Sequence, residues 1–164
     1  MERNPMHPNE ALILRFYDAL QRKDGAAMAA CYAPDATFCD PAFGRLSADE
    51  VGAMWRMLTA RATDLSVVAS AIAADANTGA AHWDATYTFS KTGRKVRNRI
   101  DARFTFRDGL IASHEDSFSL WRWAAMAMGL VGALLGWTPP MQAAIRRQSR
   151  QALEAWIRRE KGAP

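Results

Sequence analysis

Between Arg97 and Arg107 the side chains alternate without interruption. Arg97, Arg99, Asp101, Arg103, Thr105 and Arg107 fall on one side of an extended chain, and Asn98, Ile100, Ala102, Phe104 and Phe106 on the other. A period of two is the signature of a strand with one buried face, and a slip of one residue would bury four arginines, so the register is strongly determined. The same rule turns Trp83, Ala85, Tyr87 and Phe89 inward and His82, Asp84 and Thr86 outward. Asn77-Thr-Gly79, Thr92-Gly93 and Asp108-Gly109 are turn signals that divide this half of the chain into four strands, near 65–75, 80–91, 94–107 and 110–120. Outward His82 and Asp84 read as a solvated sheet surface or a subunit contact.

Ahead of the strands the period is helical. Leu12, Ile13, Phe16, Ala19 and Leu20 share a face behind Asn9, which reads as an N-cap, and Asp24-Gly25 ends that helix. A short Ala-rich helix stops before Pro34, and 36–40 reads as a short strand. Ser47-Ala-Asp-Glu50 is a capping box opening a helix that carries Val51, Met54, Trp55 and Leu58. Helices followed by hairpin-linked strands imply an α+β fold with helices on one face of an antiparallel sheet. The 164 residues, 49% apolar and 23% charged, suit one domain with a proper core. Cys31 and Cys39 have no partners at metal spacing, and residues 1–8 hold two prolines and no apolar run. A reducing cytoplasm is therefore the expected compartment. No nucleotide loop, metal cluster or nucleophile motif is present, so no cofactor is expected.

Three inward positions are polar. Asp40 shares a face with Phe38, and Asn98 lies on the apolar side of its strand. In the last strand Ala112, His114, Asp116 and Phe118 oppose Ser113, Glu115, Ser117 and Ser119, so His114 and Asp116 are expected to point inward. Carboxylates beside an imidazole in an aromatic hollow are the groups general acid–base chemistry needs. A satisfied buried polar network explains the same pattern.

Cys31-Tyr-Ala-Pro-Asp-Ala-Thr-Phe-Cys-Asp-Pro41 resembles the signature of the ketosteroid-isomerase and SnoaL-like families, within the nuclear-transport-factor-2-like superfamily. The resemblance implies a cone over residues 9–120: a curved antiparallel sheet wrapped around the N-terminal helices, with a ligand cavity at the wide end. It places Asp40 where ketosteroid isomerases keep their general base, and pairing of sheets in a homodimer is the family habit. Phe16, Trp55 and Ala102 stand at the positions of that family's oxyanion-hole groups, which argues against steroid isomerisation. The arginine held between two aspartates in limonene epoxide hydrolases has no inward counterpart. A SnoaL-type cyclase needs one acid–base carboxylate and a helper, which Asp40 with His114 and Asp116 would provide. The expected ligand is a small, mainly apolar organic molecule in a pocket lined by Phe16, Phe38, Trp55, Trp83, Tyr87, Asn98, Ala102, Phe104 and Phe118. A non-catalytic binding or dimerisation module is the alternative.

Residues 121–164 form an arm beyond the family pattern. They carry seven Lys/Arg against two Glu, a net +5, whereas the first 120 residues sum to −1. No nucleic-acid motif accompanies this charge. The apolar run 124–135 is too short to span a bilayer, Pro139-Pro140 reads as a corner, and a helix is expected over 141–160. Packing on the cone as a lid or dimer contact is the main expectation, and attachment to a membrane surface the alternative.

Overall fold

The computed structural model describes residues 5–162; the first four residues of the N-terminal stretch discussed above lie outside it. The elements run α1 (Pro8–Gln21), α2 (Gly25–Ala29), β1 (Tyr32–Asp40), β2 (Gly44–Ser47), α3 (Ala48–Arg61), β3 (Ser66–Ala74), β4 (Thr78–Phe89), β5 (Arg94–Arg107), β6 (Leu110–Ser117), α4 (Leu120–Met128), α5 (Leu130–Leu135) and α6 (Pro139–Glu160). The strands form one sheet in the order β2-β1-β6-β5-β4-β3. Every pairing is antiparallel except β1 with β6, which is parallel. A parallel neighbour cannot be joined by a hairpin. Its partner strands here lie at opposite ends of the cone's sequence, and that is why local alternation did not reveal the pair.

The expected alternation holds along β5, where every second residue from Val96 to Phe106 is buried. Irregularities bend the sheet. Register shifts interrupt β1/β6 between Tyr32 and Thr37, β3/β4 between Ser70 and Ala73, and β5/β6 between Thr105 and Phe106. The first spans Pro34, which cannot donate to a ladder and is accommodated at the irregularity, and β1 starts at Tyr32, four residues ahead of the expected 36. The third changes the phase of β6. Ile111 is fully buried, Ala112 is only half-buried, and His114 and Asp116 are buried as expected.

The helices fill the concave face. Leu12, Ile13, Phe16 and Leu20 of α1 and Val51, Met54 and Trp55 of α3 join Phe38, Trp83, Ile100 and Phe104 of the sheet in one core. The N-cap of α1 is His7 rather than Asn9, with Pro8 at the first helical position, where its missing N–H is no loss. His7 Nδ1 accepts from Asn9 N, and the freed Asn9 amide donates to the carbonyls of Asp75 and Ala76, at 2.9 and 3.3 Å, pinning α1 to the β3–β4 turn. The Ser47–Glu50 capping box forms as read. Cys31 is buried and Cys39 exposed, both as free thiols.

The arm differs in detail from the expectation. The apolar run breaks at Gly129, whose φ of 65° favours glycine, into α4 and α5. Pro139 and Pro140 open α6 instead of forming a separate corner. Leu120, Ala124 and Ile145 make a second apolar cluster with Ala42, Phe118, Trp123, Met128 and Met141, so α4 and α6 meet over one end of the cone.

Candidate functional site

The parallel β1–β6 ladder builds the site. Phe38 stands beside His114 and Cys39 beside Glu115, where the ladder ends; Asp40 and Asp116 follow, near enough for their charges to interact. Antiparallel β5 sets Phe104 against His114 and Ala102 against Asp116, where the small Ala102 leaves the carboxylate room. Asn98 is buried further along β5, opposite Ala85.

A chain of hydrogen bonds crosses the interior. Trp55 Nε1 donates to Tyr32 OH at 3.0 Å, Tyr32 OH meets His114 Nδ1 at 2.7 Å, and His114 Nε2 meets Asp116 Oδ1 at 2.8 Å. Trp83 Nε1 reaches the same Asp116 oxygen at 3.5 Å. One proton arrangement satisfies every link. With the imidazole proton on Nε2, His114 donates to Asp116, Nδ1 accepts from the Tyr32 hydroxyl, and that hydroxyl accepts from Trp55. Phe104 stacks on the imidazole at 4.4 Å, and Phe38 and Phe16 present edges at 5.0 and 5.5 Å. The His114 side chain has no solvent exposure, against 4% for Asp116. The imidazole is thus enclosed by its neighbours, and Asp116 is nearly as deeply buried.

Asp40 is half-buried, and its Oδ1 accepts from the backbone N–H groups of Ala42 and Phe43 at 2.9 and 2.6 Å. Burial, with the Asp116 charge adding to it, pushes its pKa up to about 6, while the Phe43 and Ala42 hydrogen bonds pull the other way. Tyr17 on α1 is buried, and its hydroxyl has no hydrogen-bond partner. Burial first, then Asp116, raises the Tyr17 phenol well above its ordinary range, so it stays protonated. Tyr32 is shifted upward by burial as well.

The arm closes over this end of the cone. Trp123 Nε1 donates to Tyr87 OH at 2.8 Å, and its ring meets Phe89 edge-on at 5.3 Å. Arg146 Nε donates to the Pro41 carbonyl, and Arg150 to the carbonyls of Phe43 and Arg45, so α6 straps down the turn that follows Asp40. Phe118 and Tyr87 are half-buried under this cover. A cavity of about 520 Å³ between the start of β1, α3 and the end of α6 is lined by Tyr32, Gly52, Arg56 and Glu160. Among the described residues, no group of three His, Cys, Asp or Glu side chains is arranged to hold a metal ion, and no helix is long and apolar enough to cross a membrane.

The structure therefore brings Asp40, His114 and Asp116 together, with Trp83 and Trp55 beside them. Phe16, Phe38 and Phe104 enclose His114. Sequence reasoning missed Tyr17, Tyr32 and Trp123. Tyr17 lies four residues after Ile13, within reach of the same helical stripe, and that spacing was the available signal. Outward His82 is bonded to Asp101 at 2.8 Å, among the charges of the convex face.

The match to a known family covers the same elements. A profile of the SnoaL-like domain aligns with residues 13–114. The chain belongs to the SnoaL-like family. This SnoaL-like protein carries α4, α5 and α6 beyond the matched region. Solved structures agree on the nuclear-transport-factor-2-like cone. A protein with a ketosteroid isomerase-like fold from Catenulispora acidiphila, in complex with trimethylamine, superposes with a TM-score of 0.65 at 17% identity, over 78% of this chain and 97% of that one. An LEH-like epoxide hydrolase of M. tuberculosis gives 0.62 at 19% identity, over 78% and 96%. An NTF2-like protein of unknown function from Burkholderia pseudomallei gives 0.59 at 20%, over 69% and 92%. At these identities the likeness is one of fold. No curated protein matches the sequence.

Proposed function

We propose that this SnoaL-like protein binds a small, mainly apolar organic molecule over Asp40 and Asp116 and moves a proton on it without a cofactor. The observation that carries the reading is the Trp55–Tyr32–His114–Asp116 chain, which ends on a carboxylate whose charge is felt by a second one, Asp40, in an aromatic interior. Asp40 is the proton acceptor, because a carboxylate with a pKa of about 6 is largely ionised at neutral pH yet basic enough to take a proton. His114 is enclosed on all sides, so it acts as a positioning residue for Asp116. Tyr17 supplies the donor that Phe16 does not: its partnerless buried hydroxyl suits an oxygen that gains charge as a neighbouring C–H is deprotonated. The matching reaction class is proton transfer at a carbon next to a carbonyl, as in an isomerisation or an aldol-type cyclisation. Asp40 takes the proton and returns it to carbon or to the alkoxide that forms.

Deuterium exchange at the α-carbon of 2-tetralone in D2O, followed by NMR, tests this with a defined probe. Asp40→Asn should lower protein-catalysed exchange by about 100-fold or more, and Tyr17→Phe by at least about tenfold. Exchange by Asp40→Asn equal to that of the unaltered protein would remove Asp40 from the mechanism. Native mass spectrometry of freshly purified protein, with denaturing release of bound compounds, would name the natural ligand class.

A second reading is simple binding of a small organic amine. Among the described residues no Lys or Arg pairs with Asp40 or Asp116, while Trp83 borders Asp116, and a relative of the same fold was crystallised with trimethylamine. Calorimetric binding of trimethylamine that strengthens from pH 5 to pH 7 and disappears in Asp40→Asn would favour this reading.

A further inference from the structure

In most surface helices the large apolar side chains face the protein and small or polar ones face water. The short helix α5 reverses this. Gly132 and Gly136 form its inner side, pressed on α4 so closely that a Cβ at Gly132 would lie 1.9 Å from the Ala124 carbonyl oxygen. Its outer side carries Leu130, Val131, Leu134 and Leu135, with Leu130 74% and Leu134 62% exposed. Two indoles extend the same surface. Trp121 Nε1 is bonded to the Ala133 carbonyl and Trp137 Nε1 to the Leu134 carbonyl, so both N–H groups are satisfied while the rings stay 48% and 60% exposed. The result is one contiguous apolar tip standing off the cone, of a kind that marks an interaction surface.

The charges around the tip identify the partner. From residue 117 to residue 153 there is no Asp or Glu, and Arg122, Arg146, Arg147 and Arg150 are the only charged side chains. Arg122 lies on α4, and Arg146 and Arg147 follow Ile145, which packs on Leu120 and Ala124 at the base of the tip. The β4–β5 turn adds Arg94: the Thr92 hydroxyl donates to the Ala127 carbonyl and Arg94 Nε to the Met126 carbonyl. Among the described residues no carboxylate pairs with Arg94, Arg122, Arg146 or Arg147. A second copy set against this tip would face the same cations with no acid within the segment to meet them.

We propose that the α4–α5 tip docks on an anionic lipid surface. The leucines and valine enter the headgroup–acyl boundary, the tryptophans sit at the interface they favour, and the cations meet lipid phosphates. The proposal stands apart from the reading of Asp40.

Sedimentation of the full chain with phosphatidylcholine vesicles, with and without added phosphatidylglycerol, tests it. The chain should pellet with the anionic vesicles, and less so as salt rises. Leu130→Ser/Leu134→Ser and, separately, Arg122→Gln/Arg147→Gln should each weaken binding by at least about tenfold. The substituted leucines are exposed, so circular dichroism should be unchanged; a blue shift of the tryptophan emission on anionic vesicles, diminished in Trp137→Phe, gives a second readout. No pelleting with anionic vesicles, or equal pelleting of all three proteins, overturns the proposal. A dimer of the unaltered chain that becomes monomeric in the leucine variant, without vesicle binding, assigns the tip to a second copy instead.

Discussion

Asp40 is pulled in two directions, and its titration reports the balance. Two backbone N–H groups support its ionised form, while burial and the Asp116 charge oppose it and prevail, leaving a pKa of about 6 against an ordinary 3.8. Because the folded value is the higher one, the folded state holds a proton that the unfolded chain has released between these values. The stabilisation from this group is present below pH 3.8 and is lost as pH rises through about 6. Asp40→Asn keeps an oxygen for the Ala42 and Phe43 N–H groups and removes the charge. Denaturant melts should therefore show the variant to be the more stable at pH 8, by about 1–3 kcal/mol, with the gap closing by pH 4. Carbon-detected NMR of the aspartate carboxyls should place the Asp40 midpoint near 6 and show it falling in Asp116→Asn.

Among the elements, α5 depends most on a single missing atom. Gly132→Ala would set a Cβ against the Ala124 backbone, which cannot swing aside as a side chain can. The expected loss is about 1–3 kcal/mol in thermal or denaturant melts, with α5 displaced from α4. This arrangement was not legible beforehand. An apolar run with interspersed glycines has the same composition whether its leucines face in or out, and only the turn at Gly129 decides. Strand β5 was legible for the opposite reason, since its arginines alternate with Ile100, Ala102, Phe104 and Phe106 and permit one register. Asp40, His114 and Asp116 were found through the same period of two. Tyr32 was hidden because Pro34 disguises a strand that continues through a bulge. Tyr17 was hidden because the fate of a hydroxyl is set by what a distant strand brings to it.

For the molecule as a whole, α6 couples the arm to the site. It ends beside α3, where Arg56 and Glu160 form a two-pronged pair at 2.7 and 2.9 Å, and its middle holds the turn after Asp40 through Arg146 and Arg150. Arg146→Ala/Arg150→Ala removes hydrogen bonds to three carbonyls and admits water to that turn. Its stability should fall by about 1–3 kcal/mol in denaturant melts, and the Asp40 midpoint should move down toward the ordinary carboxylate value.

The parallel pairing of β1 with β6 has a consequence during synthesis. The signature strand leaves the ribosome early, but its central neighbour, residues 110–117, is not made until some seventy residues later. Until then Phe38 and the apolar stripe of α1 lack the surface that covers them. The nascent chain therefore passes through a long interval with its core unclosed, when holding chaperones find most to bind.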